Sequence, residues 1–226
     1  MKYVFLPLLC GLIFLSTGCQ NQNTNLPLLL SSEQIQTLSE QDILAISEQA
    51  CSEVDKHAII VSDSHALNQR LYAVAQTLPT TINNIEVNYK VYLDAEPNAW
   101  STANGCIRVN SGLIKQLTDN ELQAVLAHEQ AHIALKHTIN SFQQAPYIVI
   151  TDKADETVII MKEQISQQYE MNADYYAFNL LVSEKINPMG LISMLVKMPI
   201  HSVAQSTSHP STLARINNIL RKLNQE

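Results

Sequence analysis

The chain has 226 residues, 46% of them hydrophobic and 15% charged, enough to bury a full core and within the size of one globular domain. Its formal net charge of -7, with no block of Lys or Arg, argues against nucleic acid or an anionic membrane surface as the main partner. A neutral or cationic polymer is easier to accommodate.

The N-terminus reads as a targeting segment rather than as part of the fold. Lys2 supplies a positive start, Val4 to Leu15 is an apolar run, and Ser16-Thr17-Gly18-Cys19 follows, which is the layout of a secretory signal. It resembles a bacterial lipoprotein signal, in which Cys19 becomes the lipidated N-terminus, although Ser16 stands where an aliphatic residue is usual. An apolar run of about a dozen residues is short against the roughly 20 that span a bilayer. The expected organisation is a signal peptide over 1–18, a lipidated Cys and tether over 19–30, and one domain over 31–226. Gln20 resembles an outer-membrane address, so the domain is expected to face the periplasm with its lipid as the sole membrane contact. Cys51 and Cys106 then remain in an oxidising compartment, where two such cysteines usually pair; the alternative is two buried free thiols.

Within the domain, Ser39 to Lys56 and Ser64 to Leu78 carry apolar residues at helical spacing, and Pro79 ends the second. Glu86 to Asp94 switches to a two-residue period, with Val87, Tyr89, Val91 and Leu93 on one face of a strand. Asn98 to Thr102 and Cys106 to Val109 flank Asn104-Gly105, a dipeptide that favours a tight hairpin with two positive-φ residues. A small antiparallel sheet is therefore expected, followed by a short helix capped by Ser111. Thr118 and Glu121 form a capping-box pattern that starts a helix running to Thr138. Its Ala124, Ala127, Ala131 and Ala134 make a small-residue stripe against which another helix can approach. The stretch from Ser141 to Asp155 reads as a loop or lid. Helices are expected over Glu156 to Val182, Pro188 to Met198 and Ser211 to Asn224.

The chemistry is concentrated in the helix that begins at Thr118, which contains His128-Glu129-Gln130-Ala131-His132, an H-E-x-x-H sequence. Residues four apart share a helix face, so both imidazoles can bind one metal ion with Glu129 beside them. A hydrolytic zinc site takes three protein ligands and a water. The variant with a third His six residues past the second is excluded, because that position is Thr138. Glu170 fits a two-His, one-Glu site, and Asp174, one turn on, can orient a ligand imidazole; a surface-exposed acidic face is the alternative for this pair. Glu129 is the candidate general base. His209 and Arg215 are the candidate donors to the oxyanion of the tetrahedral intermediate, with His209 alternatively a fourth zinc ligand. His137 reads as a cation at the carbonyl end of the helix.

Taken together, His128 to His132, Glu170 to Asp174, and Ser208-His209-Pro210 through Arg215-Ile216 resemble the zinc metalloproteases of the HtpX and Ste24 type. Residues 87–92, Asn98-Ala99-Trp100 and Asn104 to Val109 make the chain similar to that family's small outer-membrane lipoprotein branch. The resemblance implies an α+β fold of gluzincin type, mostly helical, with one Zn2+ per chain and endopeptidase activity on misfolded or damaged envelope proteins. It also implies that Asn98, Ala99, Trp100 and Ser101 form an edge strand that pairs with substrate backbone. The competing expectation is a chaperone-like assembly factor that binds client proteins while its protease activity is mostly repressed. No sequence feature specifies an oligomer.

Overall fold

A computed structural model describes residues 28–144, 147–150, 158–159, 163–197 and 212–223. The signal, Cys19, and His209 lie outside them. In chain order the elements are β1 (Leu28–Ser31), α1 (Ser32–Gln36), α2 (Glu40–His57), α3 (Ala66–Ala75), β2 (Thr81–Ile82), β3 (Ile85–Glu86), β4 (Asn88–Tyr92), β5 (Ala99–Ser101) and β6 (Cys106–Asn110). Then follow α4 (Ser111–Gln116), α5 (Asp119–Ala134), α6 (His137–Gln144), β7 (Tyr147–Ile150), β8 (Val158–Ile159), α7 (Glu163–Ser183), α8 (Met189–Lys197) and α9 (Thr212–Leu223). The architecture is α+β and mainly helical, as expected. No described helix is long and apolar enough to cross a membrane.

Helix α5 is the centre of the main core. Its capping box is formed: Thr118 Oγ accepts from the Glu121 N–H, and the Glu121 carboxylate accepts from the Thr118 N–H at 2.7 Å. The same carboxylate takes hydrogen bonds from Ser193 and Lys197 of α8. Burial alone would raise the pKa of Glu121, but Lys197, the Thr118 N–H and Ser193 bring it down to about 2. Gly190 is needed where α8 meets the start of α5, because a Cβ there would run into the Asn120 carbonyl. Leu122, Val125 and Leu126 of α5 share the core with Phe178 and Leu181 of α7, Leu191 of α8 and Leu71 of α3.

On the sheet side, β6 is central: β4 lies parallel to it and β5 antiparallel, with Trp100 opposite Arg108. The sheet is therefore mixed, and β5 is an edge. The disulfide between Cys51 and Cys106 is present and ties α2 to β6. Four residues further along α2, Asp55 accepts from Lys90, Tyr92 and Arg108. Those donors outweigh the cost of its burial and hold its carboxyl well below the usual range.

Several expectations change. The turn with two positive-φ residues is Asn83-Asn84, between β2 and β3. At Asn104-Gly105 only Gly105 is left-handed, φ +88°, closing a longer loop in which the Gly105 N–H donates to the Thr102 carbonyl. The cap of α4 is Asn110, not Ser111, whose hydroxyl donates to the Asp94 carbonyl. Leu93 is exposed while Tyr92 is buried, because the phenol packs edge-on against Trp100 and donates to Asp55.

The stretch read as a lid contains β7, the middle strand of a second sheet. It pairs with β8 and with β1, whose Leu28–Leu30 end the segment read as a tether. A four-residue apolar run has no period of its own that separates strand from loop, and one of β7's partners, β1, lies far back along the chain. Because Val158–Ile159 is strand β8, the following helix starts at Glu163 and not Glu156.

Candidate metal centre

Residues one helical turn apart stand one above the other, and α5 thereby sets His128 and His132 side by side with their Nε2 atoms 3.1 Å apart. Glu170 enters from α7, with Oε2 3.4 Å from His128 Nε2 and Oε1 3.5 Å from His132 Nε2. Among the described residues this trio is the one group whose ligand atoms gather closely enough to hold a metal ion, all within 4.8 Å of one another. Two nitrogens bound to zinc at its usual distance and tetrahedral angle lie about 3.3 Å apart, so the donor set and its spacing fit that ion. The approach of α7 to α5 is made over small side chains. Ala124, Ala127 and Ala131 are completely buried on one helix and Ala173 and Ala177 on the other.

Asp174 stands behind the first imidazole, its Oδ1 3.1 Å from His128 Nδ1. That contact holds a proton on Nδ1 and turns Nε2 toward the cluster, where a bound cation would take the place of any proton on Nε2. Asp174 is itself completely buried and is gripped by Arg215 of α9, whose Nε and Nη2 donate to its two oxygens at 2.8 and 2.7 Å. Arg215 Nη1 is 3.3 Å from Glu170 Oε2. Arg215, a candidate oxyanion donor from the sequence, thus has its guanidinium turned to two carboxylates of the site, an anchoring arrangement.

Glu129 is buried between the two histidines in sequence, and its carboxylate accepts a 2.8 Å hydrogen bond from Ser101 of β5. Burial raises its pKa, with His128 and the Ser101 hydroxyl pulling the other way. Burial would likewise drive the proton from His128, but Asp174 and Glu170 reverse this and hold it on. Burial and the neighbouring charge of His128 lower His132. Three buried carboxylates, Glu129, Glu170 and Asp174, face a single guanidinium, Arg215. Counting the protonated His128 as well, these carboxylates still outnumber the cationic side chains of the site among the described residues, an acidic excess that suits a bound cation.

His137 is a correction. Helix α5 stops at Ala134 and Lys136 turns left-handed, φ +56°, so His137 opens a new helix instead of closing the old one. It is buried, which lowers its pKa to about 4, and it is no terminal cation. Its Nδ1 lies 3.0 Å from Nδ1 of His132. Nothing in the residue types around Leu135-Lys136 signals that break. Ser101 was expected only as part of the edge strand, and its bond to Glu129 depends on how β5 docks over α5.

The profile of peptidase family M48 matches residues 65–223. Metalloprotease LoiP of Escherichia coli (strain K12) is 33% identical over 233 aligned positions, covering 93% of this chain and 92% of that protein. Metalloprotease YcaL of the same organism is 32% identical, covering 91% of each. A crystal structure of S. mikatae Ste24p is similar with a TM-score of 0.45 at 18% identity, covering 79% of this chain and 56% of that one. A family match over most of the chain, together with near full-length likeness to two metalloproteases, places this chain in peptidase family M48.

Proposed function

We propose that this chain is a zinc-dependent endopeptidase that acts on misfolded or damaged proteins of the bacterial envelope, held at the outer membrane by a lipid on Cys19 with its domain in the periplasm. The observation that carries the catalytic part is the convergence of His128, His132 and Glu170 with the Glu129 carboxylate beside them. The location rests on the N-terminal sequence pattern alone.

His128, His132 and Glu170 would hold the zinc, and when bound it acidifies a water to a pKa of about 7 and polarises the scissile carbonyl. Glu129, its pKa raised by burial, takes up a proton from the attacking water and delivers it to the leaving amine. Ser101 holds the Glu129 carboxylate in place. Strand β5, at the sheet edge, offers Ala99, Trp100 and Ser101 as a template on which an extended substrate segment adds as a further strand. Backbone pairing of that kind selects for unfolded chains over folded ones. Arg215 keeps Asp174 ionised and so fixes the ring of His128.

Glu129→Gln tests the reading, since it keeps the three ligands and removes the base. The variant is expected to bind one zinc per chain and to cleave an unfolded substrate at least about 100-fold more slowly. Cleavage at the rate of the unaltered chain would refute the assignment. Complementation of a deletion strain by the inactive variant would favour the chaperone-like role instead.

A further inference from the structure

We infer that His137 is a positioning residue for the metal-binding ring of His132, and that through Tyr169 it braces the two helices carrying the ligands. On an unbroken helix a residue five positions beyond His132 would lie roughly 140° around the axis, facing away. The break after Ala134 and the left-handed Lys136 bring His137 back beneath His132. The rings meet edge to face, centroids 4.9 Å apart at 73°, with the two Nδ1 atoms at 3.0 Å.

This inference rests on the zinc reading. With His132 binding through Nε2, its Nδ1 carries the ring proton and donates, so His137 accepts at Nδ1 and keeps its own proton on Nε2. The two imidazole ligands are therefore backed by different partners, His128 by the Asp174 carboxylate and His132 by a second imidazole. His137 is also stacked on Tyr169, centroids 4.3 Å apart and planes within 10°. Tyr169 immediately precedes Glu170, and its hydroxyl accepts from Gln144 of α6 at 3.2 Å. One side chain thus contacts the second histidine ligand on α5 and the residue next to the carboxylate ligand on α7.

The test is zinc affinity of the full chain, measured by competition with a chromophoric chelator at neutral pH, alongside thermal unfolding of each metal-free protein. His137→Leu, which removes the acceptor, is expected to weaken zinc binding about 10- to 100-fold. His137→Asn, whose side-chain oxygen takes the place of Nδ1, is expected to recover most of that loss and to restore the visible spectrum of the cobalt-substituted protein. Should the Leu variant fail to fold, His137→Gln, whose amide reaches the Nε2 position instead, serves as the loss variant. Unchanged affinity in the loss variant overturns the inference, as does an equal loss in His137→Asn. A loss that only parallels the fall in metal-free unfolding temperature also overturns it. Failure of the zinc reading is distinguishable, because then the unaltered chain and His132→Ala would bind zinc equally poorly.

Discussion

Ser101 Oγ donates to Glu129 Oε2 over 2.8 Å and also lies 3.2 Å from the Glu129 backbone carbonyl, so the edge strand β5 is pinned to the helix that carries the H-E-x-x-H sequence. A hydrogen bond to a charged group contributes about 1.5–3 kcal/mol, and under the proposed function this one holds the Glu129 carboxylate at a fixed orientation. Ser101→Ala is expected to lower kcat about tenfold with little change in KM. Ser101→Thr, which keeps the hydroxyl, is expected to retain most of the rate. Steady-state kinetics on an unfolded substrate check this. A loss confined to KM would mean that Ser101 serves the strand and not the base.

Behind the ligands, Arg215 grips the completely buried Asp174 with two parallel hydrogen bonds. Truncation of one partner of a buried pair leaves the other charge uncompensated and costs about 3–5 kcal/mol. Arg215→Ala is therefore expected to destabilise the chain by that amount in urea unfolding. Arg215→Lys is expected to restore only part of it, because an ammonium cannot offer the two-pronged fork. If Arg215→Ala unfolds at the urea concentration of the unaltered chain, the pair is not an anchor and Arg215 returns as a candidate donor to substrate.

Those contacts also mark where sequence reading succeeds. His128 and His132, Glu170 and Asp174, and Thr118 and Glu121 are pairs three or four residues apart, and helix geometry alone puts each pair on one face. The gathering of the first two pairs into one cluster followed from ligand number, and the alanines of α5 anticipate the close approach of α7. What was not legible depends on contacts between distant segments or on unusual backbone. His137 was misread because a non-glycine residue, Lys136, adopts the left-handed turn that redirects it. Tyr92 is buried although it shares the Lys90 face, because Asp55 and Trp100, from two other elements, cover the phenol. Strand β7 was missed because its partners, β1 and β8, lie on either side of it in the sequence and only the fold assembles them.

Glu121 connects the start of α5 to α8, and its charge makes that junction sensitive to acid. Its pKa in the folded chain is about 2, against an ordinary 4.5. A carboxyl depressed by folding contributes stability that is complete above the unfolded value and is lost as the pH falls from about 4.5 to about 2. At about 1.4 kcal/mol for each pH unit this is at most about 3.5 kcal/mol, and solvent around the exposed Lys197 ammonium reduces it to about 1–2 kcal/mol. Glu121→Gln keeps a hydrogen-bonding side chain at the capping-box position but removes the charge that pairs with Lys197. The variant is expected to be less stable by about that amount at neutral pH, with the gap closing through the same acid range. Urea unfolding of both proteins across a pH series, each stripped of metal, checks it. A gap that stays constant with pH would show that Glu121 acts through the shape of its hydrogen bonds and not through its charge.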